Sequence, residues 1–206
     1  AQQQTYTFDV VSGVTAIARF PFTDVPAGSW YYGAAAYAYN NGLFAGTTAT
    51  TFAPDMTMTR AMLVSVLWRL AGEPAPHGTN TFDDVPDGTW YTDAVNWAAE
   101  NGGVAGIGNG RFDPDGSVTR EQPAVILFNY AQSKGYDVSA RADLSAFPDA
   151  GSVSDWAQSA LAWANASGLI SGAVRGTQTI LDPQGSASRA QVAMILMAYG
   201  EPVVNA

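Results

Sequence analysis

The chain repeats itself, and that constrains its fold more than any other feature. Residues 22–71 align with residues 82–131 at a constant offset of 60, without a gap, and 20 of these 50 positions are identical. Phe22, Asp24, Val25 and Pro26 match Phe82, Asp84, Val85 and Pro86. Trp30-Tyr31 matches Trp90-Tyr91, Asn41-Gly42 matches Asn101-Gly102, and Ala45-Gly46 matches Ala105-Gly106. Phe52, Pro54 and Asp55 match Phe112, Pro114 and Asp115. A third, looser copy carries Phe147-Pro148-Asp149, Trp156, Gly168, Gly172, Asp182-Pro183 and Arg189. Its extra residues fall before Trp156 and within 173–180. A repeat of this length is one supersecondary unit that cannot bury its apolar face alone, so the copies must pack on one another.

Each copy reads as two helices. The first is predicted over residues 30–40, 90–100 and 155–166, with Gly42, Gly102 and Gly168 as left-handed C-caps. The second follows a turn, a hydroxyl residue and an arginine: Thr59-Arg60, Thr119-Arg120 and Ser188-Arg189. The hydroxyls suit the N-cap. Gln122 and Gln191 complete a capping box, and Met62 breaks it in the first copy. A cation at a helix start opposes the helix dipole. Its threefold recurrence points to a role outside its own helix. It can either hold an anion beside the free first-turn amides or pin the neighbouring repeat by hydrogen bonds. Between the helices lies one apolar anchor per copy: Phe52, Phe112, Leu181. The predicted units are 21–76, 77–139 and 140–206, joined by the Pro/Gly stretch at 72–76 and by 134–137. Residues 1–20 stand apart and are β-prone, as an arm or the remnant of an upstream domain.

Composition narrows the function. Net charge is -9 with only nine Lys and Arg, which argues against nucleic acid and against an anionic bilayer. No apolar run is long enough to span a membrane. With no cysteine, disulfides and thiolate metal sites are excluded. The chain opens on Ala1-Gln2 and carries no signal-peptide pattern, as a processed product would.

The chemistry-bearing groups are weighed against plain structural roles. Trp68, Trp97 and Trp163 sit mid-helix among apolar neighbours and read as core. Asp24, Asp84 and Asp149 serve equally as turn-bonding residues or ligand groups, and Trp30, Trp90 and Trp156 equally as packing or stacking surfaces. The acidic pair Asp83-Asp84 is not repeated, because Thr23 and Pro148 stand at the first position, so no catalytic residue is assigned. Asp113-x-Asp115-Gly116 lacks the rest of a calcium loop, and no metal or cofactor is expected. His77, the single histidine, lies in a Pro/Gly linker and is expected to be exposed.

The recurring order Phe-x-Asp-Val, Trp, Gly turn, Phe-x-Pro and Thr-Arg resembles the S-layer homology (SLH) family over residues 22–201. The resemblance implies an all-α fold: three helix-pair repeats packed as a pseudo-threefold, three-pronged spindle, preceded here by the short β-prone segment. It implies a module that tethers a protein to the secondary cell-wall polysaccharide of Gram-positive bacteria, at the extracellular surface, through pyruvylated N-acetylmannosamine held in grooves between repeats. The family's aspartate, tryptophan and arginine fall on Asp24, Trp30 and Arg60, on Asp84, Trp90 and Arg120, and on Asp149, Trp156 and Arg189. The glutamate of the family tetrad is replaced by Met62, Gln122 and Gln191. The alternative is a structural subunit that self-assembles into a surface layer or filament through residues 1–20.

Overall fold

The computed structural model describes residues 20–78 and 82–200. The N-terminal stretch on which the self-assembly alternative rests lies almost wholly outside them. The described chain is mostly helical. Its helices are α1 (Tyr32–Asn40), α2 (Arg60–Leu70), α3 (Thr92–Glu100), α4 (Glu121–Ser133), α5 (Gln158–Ala166) and α6 (Arg189–Gly200). The third repeat adds 3-10 turns at Leu144–Ala146 and Ala150–Ser152, and the antiparallel strands β1 (Ala173–Arg175) and β2 (Gln178–Ile180). That hairpin is formed from the residues that make the third copy longer.

The first helix of each repeat begins two or three residues later than the periodicity predicts. Trp30, Trp90 and Trp156 therefore lie in the turn before the helix rather than on it. The predicted glycine caps are met: Gly42, Gly102 and Gly168 have φ of 68°, 64° and 73°, where a side chain would be strained. The loop glycines add a second cause, close packing. A Cβ on Gly46 or Gly106 would run into loop carbonyls and the ring of Phe22 or Phe82, and one on Gly172, itself at φ 90°, into Ile180 O and Thr179 beside the ring of Phe147.

Helices pack chiefly between repeats: α2 lies on α3, α4 on α5, and α6 returns to α1. Small residues allow the close approach, with Ala34, Ala35 and Ala38 of α1 fully buried. The apolar anchors Phe52, Phe112 and Leu181 are likewise buried.

The segments ahead of the arginine helices meet at the centre and bond in a closed cycle. The Met58 amide donates to Ala187 O at 2.9 Å, the Ala187 amide to Val118 O at 2.8 Å, and the Val118 amide to Met58 O at 2.9 Å. Each of these three side chains is buried. The first-turn amides then find carbonyls in the next repeat. Arg60 N–H donates to Gly116 O and Ala61 N–H to Pro114 O. Arg120 N–H donates to Gly185 O and Glu121 N–H to Pro183 O. Arg189 N–H donates to Met56 O and Ala190 N–H to Pro54 O. Helix amides that lack an intrahelical partner thus join the repeats to one another. This corrects the expectation of free helix amides beside each arginine: the arginine and the residue after it have given theirs to a neighbouring repeat.

Candidate functional site

The aspartates shape the loops. Asp24 accepts from the amides of Phe52 and Ala53 at 2.8 and 2.7 Å. Asp84 accepts from Phe112 and Asp113 at 2.8 Å each, and Asp149 from Leu181 and Asp182 at 2.9 and 2.7 Å. The second residue of each pair, Ala53, Asp113 or Asp182, has φ between 51° and 61°. Such a backbone is unfavourable for a residue with a side chain, and the two-pronged carboxylate holds it in place. At Asp84, burial opposes ionisation, but the two amide bonds and Arg111 Nε outweigh it and lower the carboxyl pKa.

The arginines reach across repeats. Arg60 donates from Nε to Phe112 O at 2.7 Å and from Nη2 to Ala105 O at 2.9 Å. Its guanidinium lies 4.6 Å from the Phe112 ring centroid. Arg189 repeats this toward the first repeat, with Phe52 O at 2.8 Å, Ala45 O at 2.7 Å and the rings of Phe52 and Phe44 at 4.7 and 4.8 Å. Arg120 differs. Its Nε donates to Leu181 O at 3.0 Å, leucine offers no ring, and its terminal nitrogens have no hydrogen-bond partner among the described residues. Burial lowers the pKa of Arg60 and of Arg120, and brings Arg189 down to about 10. All three stay charged at neutral pH.

The glutamine half of the capping box forms in both copies that carry it, and of these two the hydroxyl half only in the third. Gln122 Oε1 accepts from Thr119 N–H at 3.1 Å, and Gln191 Oε1 from Ser188 N–H at 2.9 Å. Thr59 and Ser188 cap with their hydroxyls. The hydroxyl oxygen of Thr119 is buried without a partner, so Thr119 does not make the expected side-chain cap.

The tryptophans divide by position. Trp30, Trp90 and Trp156 are 63%, 59% and 57% exposed. Trp163 is buried as expected. Trp68 and Trp97 are only half-buried and pack against the core from its margin. Trp68 Nε1 donates to Pro74 O at 2.8 Å.

Two grooves gather these groups from all three repeats. One, of about 540 Å³, has Arg60 from the first repeat, residues 102–106 and α4 from the second, and Trp156 from the third. The other, of about 550 Å³, has Arg120 from the second repeat, residues 168–174 and α6 from the third, and Trp30 from the first. Each thus joins an exposed indole, a guanidinium and a capping glutamine, Gln122 or Gln191. The aspartates line neither groove and act through the loop that carries the anchor.

Sequence reasoning missed the groove walls. The hairpin residues Ala173 and Val174 line the Arg120 groove; the insertion at 173–180 was their visible signal. It also missed Glu121, which is buried where the other copies have Ala61 and Ala190. Its carboxylate accepts from Ser154 N–H at 3.1 Å, Ser154 Oγ at 2.8 Å and Gln184 Nε2 at 2.9 Å, joining the second and third repeats. The signal was an acid where both other copies have alanine. His77 is exposed, and its amide donates to Glu100 Oε2 at 2.9 Å. No helix among the described residues is long and apolar enough to cross a membrane.

Comparison with known proteins gives the same three-part division. The family model for the S-layer homology domain matches residues 21–61, 81–124 and 146–193. The chain is 30% identical over 177 residues to an endoglucanase of a Bacillus species, covering 86% of this chain and 18% of that protein. It is 32% identical over 154 residues to the surface-layer 125 kDa protein of Lysinibacillus sphaericus, covering 75% and 13%. It is 31% identical over 156 residues to the amylopullulanase of Thermoanaerobacterium thermosulfurigenes, covering 75% and 8%. The chain therefore spans less than a fifth of each of these relatives, and two proteins named as enzymes and one named for a surface layer share it. Three matched segments, each carrying the same aspartate clamp and arginine bridge, make this chain a member of the S-layer homology domain family.

Proposed function

We propose that the chain is a non-catalytic anchoring module that binds a cell-wall polysaccharide at the bacterial surface, outside any membrane. Its three units, 21–76, 77–139 and 140–206, pack as a pseudo-threefold spindle. The cyclic bonds among Met58, Ala187 and Val118 and the return of α6 to α1 support that arrangement. The observation that carries the binding reading is the composition of the grooves: an exposed indole, a guanidinium and a glutamine, drawn from three repeats. An indole face covers the apolar face of a sugar. A guanidinium pairs with a carboxylate through charge-assisted bonds. A sugar bearing a pyruvate ketal offers both, which makes pyruvylated N-acetylmannosamine the expected ligand class. The relatives support attachment at a surface, since the shared part accompanies different proteins.

Trp30, Arg120, Trp156 and Arg60 contact ligand in this reading. The groove of Arg120 is the stronger, because its terminal nitrogens have no hydrogen-bond partner among the described residues while Arg60 spends Nη2 on Ala105 O. Trp90 and Arg189 form the third equivalent set, with Arg189 already held by two carbonyls and two rings. Asp24, Asp84 and Asp149 are positioning residues. The test is co-sedimentation with purified Gram-positive cell walls before and after acid removal of pyruvate ketals. Binding is expected to be lost with the ketals; equal binding to both walls would sink the proposal.

A further inference from the structure

The groove of Arg60 does not end at the indole–guanidinium site. A second cavity of about 290 Å³ lies against the far ends of the same two helices. Gly103, Ile126 and Asn129 line both cavities. Arg60, Leu63 and Val64 of α2 line the first, and Leu67 and Ala71 continue that face into the second. On α4, Gln122, Val125, Ile126, Asn129, Tyr130 and Ser133 succeed one another at helical spacing. One groove therefore follows α4 from its first turn to its last, a length of roughly 16 Å.

Its far end is built of aromatic and donor groups. Trp97 and Tyr130 line it, with ring centroids 6.4 Å apart. Asn101, Asn129, Ser133 and Lys134 add polar atoms. The Asn129 amide makes no side-chain hydrogen bond among the described residues. Lys134 is the chain's single lysine; its ammonium lies 5.4 Å from the Tyr130 ring centroid and has no ion-pair partner among the described residues.

The other repeats carry different residues at this junction. Where Asn129 stands in the second repeat, the first has Arg69, whose Nη1 donates to Leu43 O at 3.1 Å across the equivalent path. The third has Ala198, which offers no polar group.

We propose that the α4 groove is an extended glycan site: the acidic terminal sugar sits at Arg60, and a further sugar unit of the same chain sits between Trp97, Tyr130, Asn129 and Lys134. This rests on the anchoring function above and adds the length of chain recognised. Aromatic faces beside amide and ammonium donors suit a neutral sugar ring, whose hydroxyls accept from Asn129 and Lys134.

The test uses acidic fragments released from a pyruvylated wall polysaccharide and sized into single-sugar and longer fractions. Each fraction is titrated calorimetrically into the whole chain. Longer fragments are expected to bind more tightly than the single sugar. Lys134→Gln, an exposed change, should weaken only the longer fragments, by about fivefold for one lost hydrogen bond. Asn129→Arg should abolish the gain from length by closing the junction as Arg69 does. Equal affinity for both fractions, or a gain from length that survives both substitutions in folded protein, would overturn the extended site and leave the anchoring function standing. Failure of both fractions to bind the wild type would overturn both.

Discussion

Replacing the three arginines should destabilise the fold unequally, in an order opposite to their effect on binding. Arg189 is 6% exposed and gives two hydrogen bonds to the first repeat from the third, at 2.7 and 2.8 Å. A hydrogen bond from a charged donor contributes about 1.5–3 kcal/mol. Each ring beneath the guanidinium adds about 0.5–1 kcal/mol. Against these stands the cost of burying the charge, visible in a pKa lowered to about 10. Arg189→Ala removes that cost but leaves two carbonyls without their partner and a void between Phe44 and Phe52. The net loss should be about 3–4 kcal/mol. Arg60 makes two bonds over one ring and is only half-buried, so Arg60→Ala should cost about 2–3 kcal/mol. Among the described residues Arg120 makes one bond and covers no aromatic ring, which leaves about 1 kcal/mol for Arg120→Ala. Urea melts followed by circular dichroism, with a shared m-value, give the three differences directly. An Arg120→Ala loss as large as that of Arg189→Ala would refute the assignment of the arginines as inter-repeat pins, as would an Arg189→Ala loss under about 1 kcal/mol.

Three further outcomes follow from burial and bonding. Trp30→Ala should leave stability within about 0.5 kcal/mol, because the ring is 63% exposed, while weakening ligand binding in calorimetry. Trp163→Ala should cost about 3–5 kcal/mol in the same melts, and Trp97→Ala, only half-buried, no more than about half of that. The lowered carboxyl pKa of Asp84 makes its contribution fully present above the ordinary aspartate value. That contribution is lost as pH falls through the lower folded value. Asp84→Asn should therefore be less stable than wild type at neutral pH, and the gap should narrow in melts below about pH 4.

The repeat made the helix pairs, their glycine caps and the inter-repeat packing legible, because these follow from local pattern and spacing. The candidate residues were legible as positions but not as roles. Asp24, Asp84 and Asp149 could be known as loop clamps only once the left-handed Ala53, Asp113 and Asp182 were placed beside them. The exposure of Trp30 depends on a helix that starts at Tyr32 rather than at the tryptophan, a boundary that hydrophobic period does not fix. Bonds such as Arg189 to Ala45 join residues 144 apart, beyond the reach of any local signal. Leu181 was visible as the one anchor without a ring, but Arg120 could not be separated from Arg60 without seeing that its Nε reaches Leu181 O and that its terminal nitrogens have no partner among the described residues. The half-burial of Trp68 and Trp97 was hidden for a related reason: an apolar neighbourhood in sequence does not say which side of a helix meets its partner.

The proposed binding mode has the inter-repeat grooves hold an acidic sugar by a guanidinium and an indole from different repeats. Its most direct measurement is calorimetric titration of a soluble pyruvate-ketal sugar into Arg120→Gln, with folding checked by circular dichroism. A short ligand is used because a polymer engaging several grooves would mask a single change by avidity. Loss of one charge-assisted pair should weaken the Arg120 groove about thirtyfold, whereas the same sugar without its ketal should bind wild type and variant equally weakly. Undiminished affinity for the ketal sugar in folded Arg120→Gln would contradict the claim.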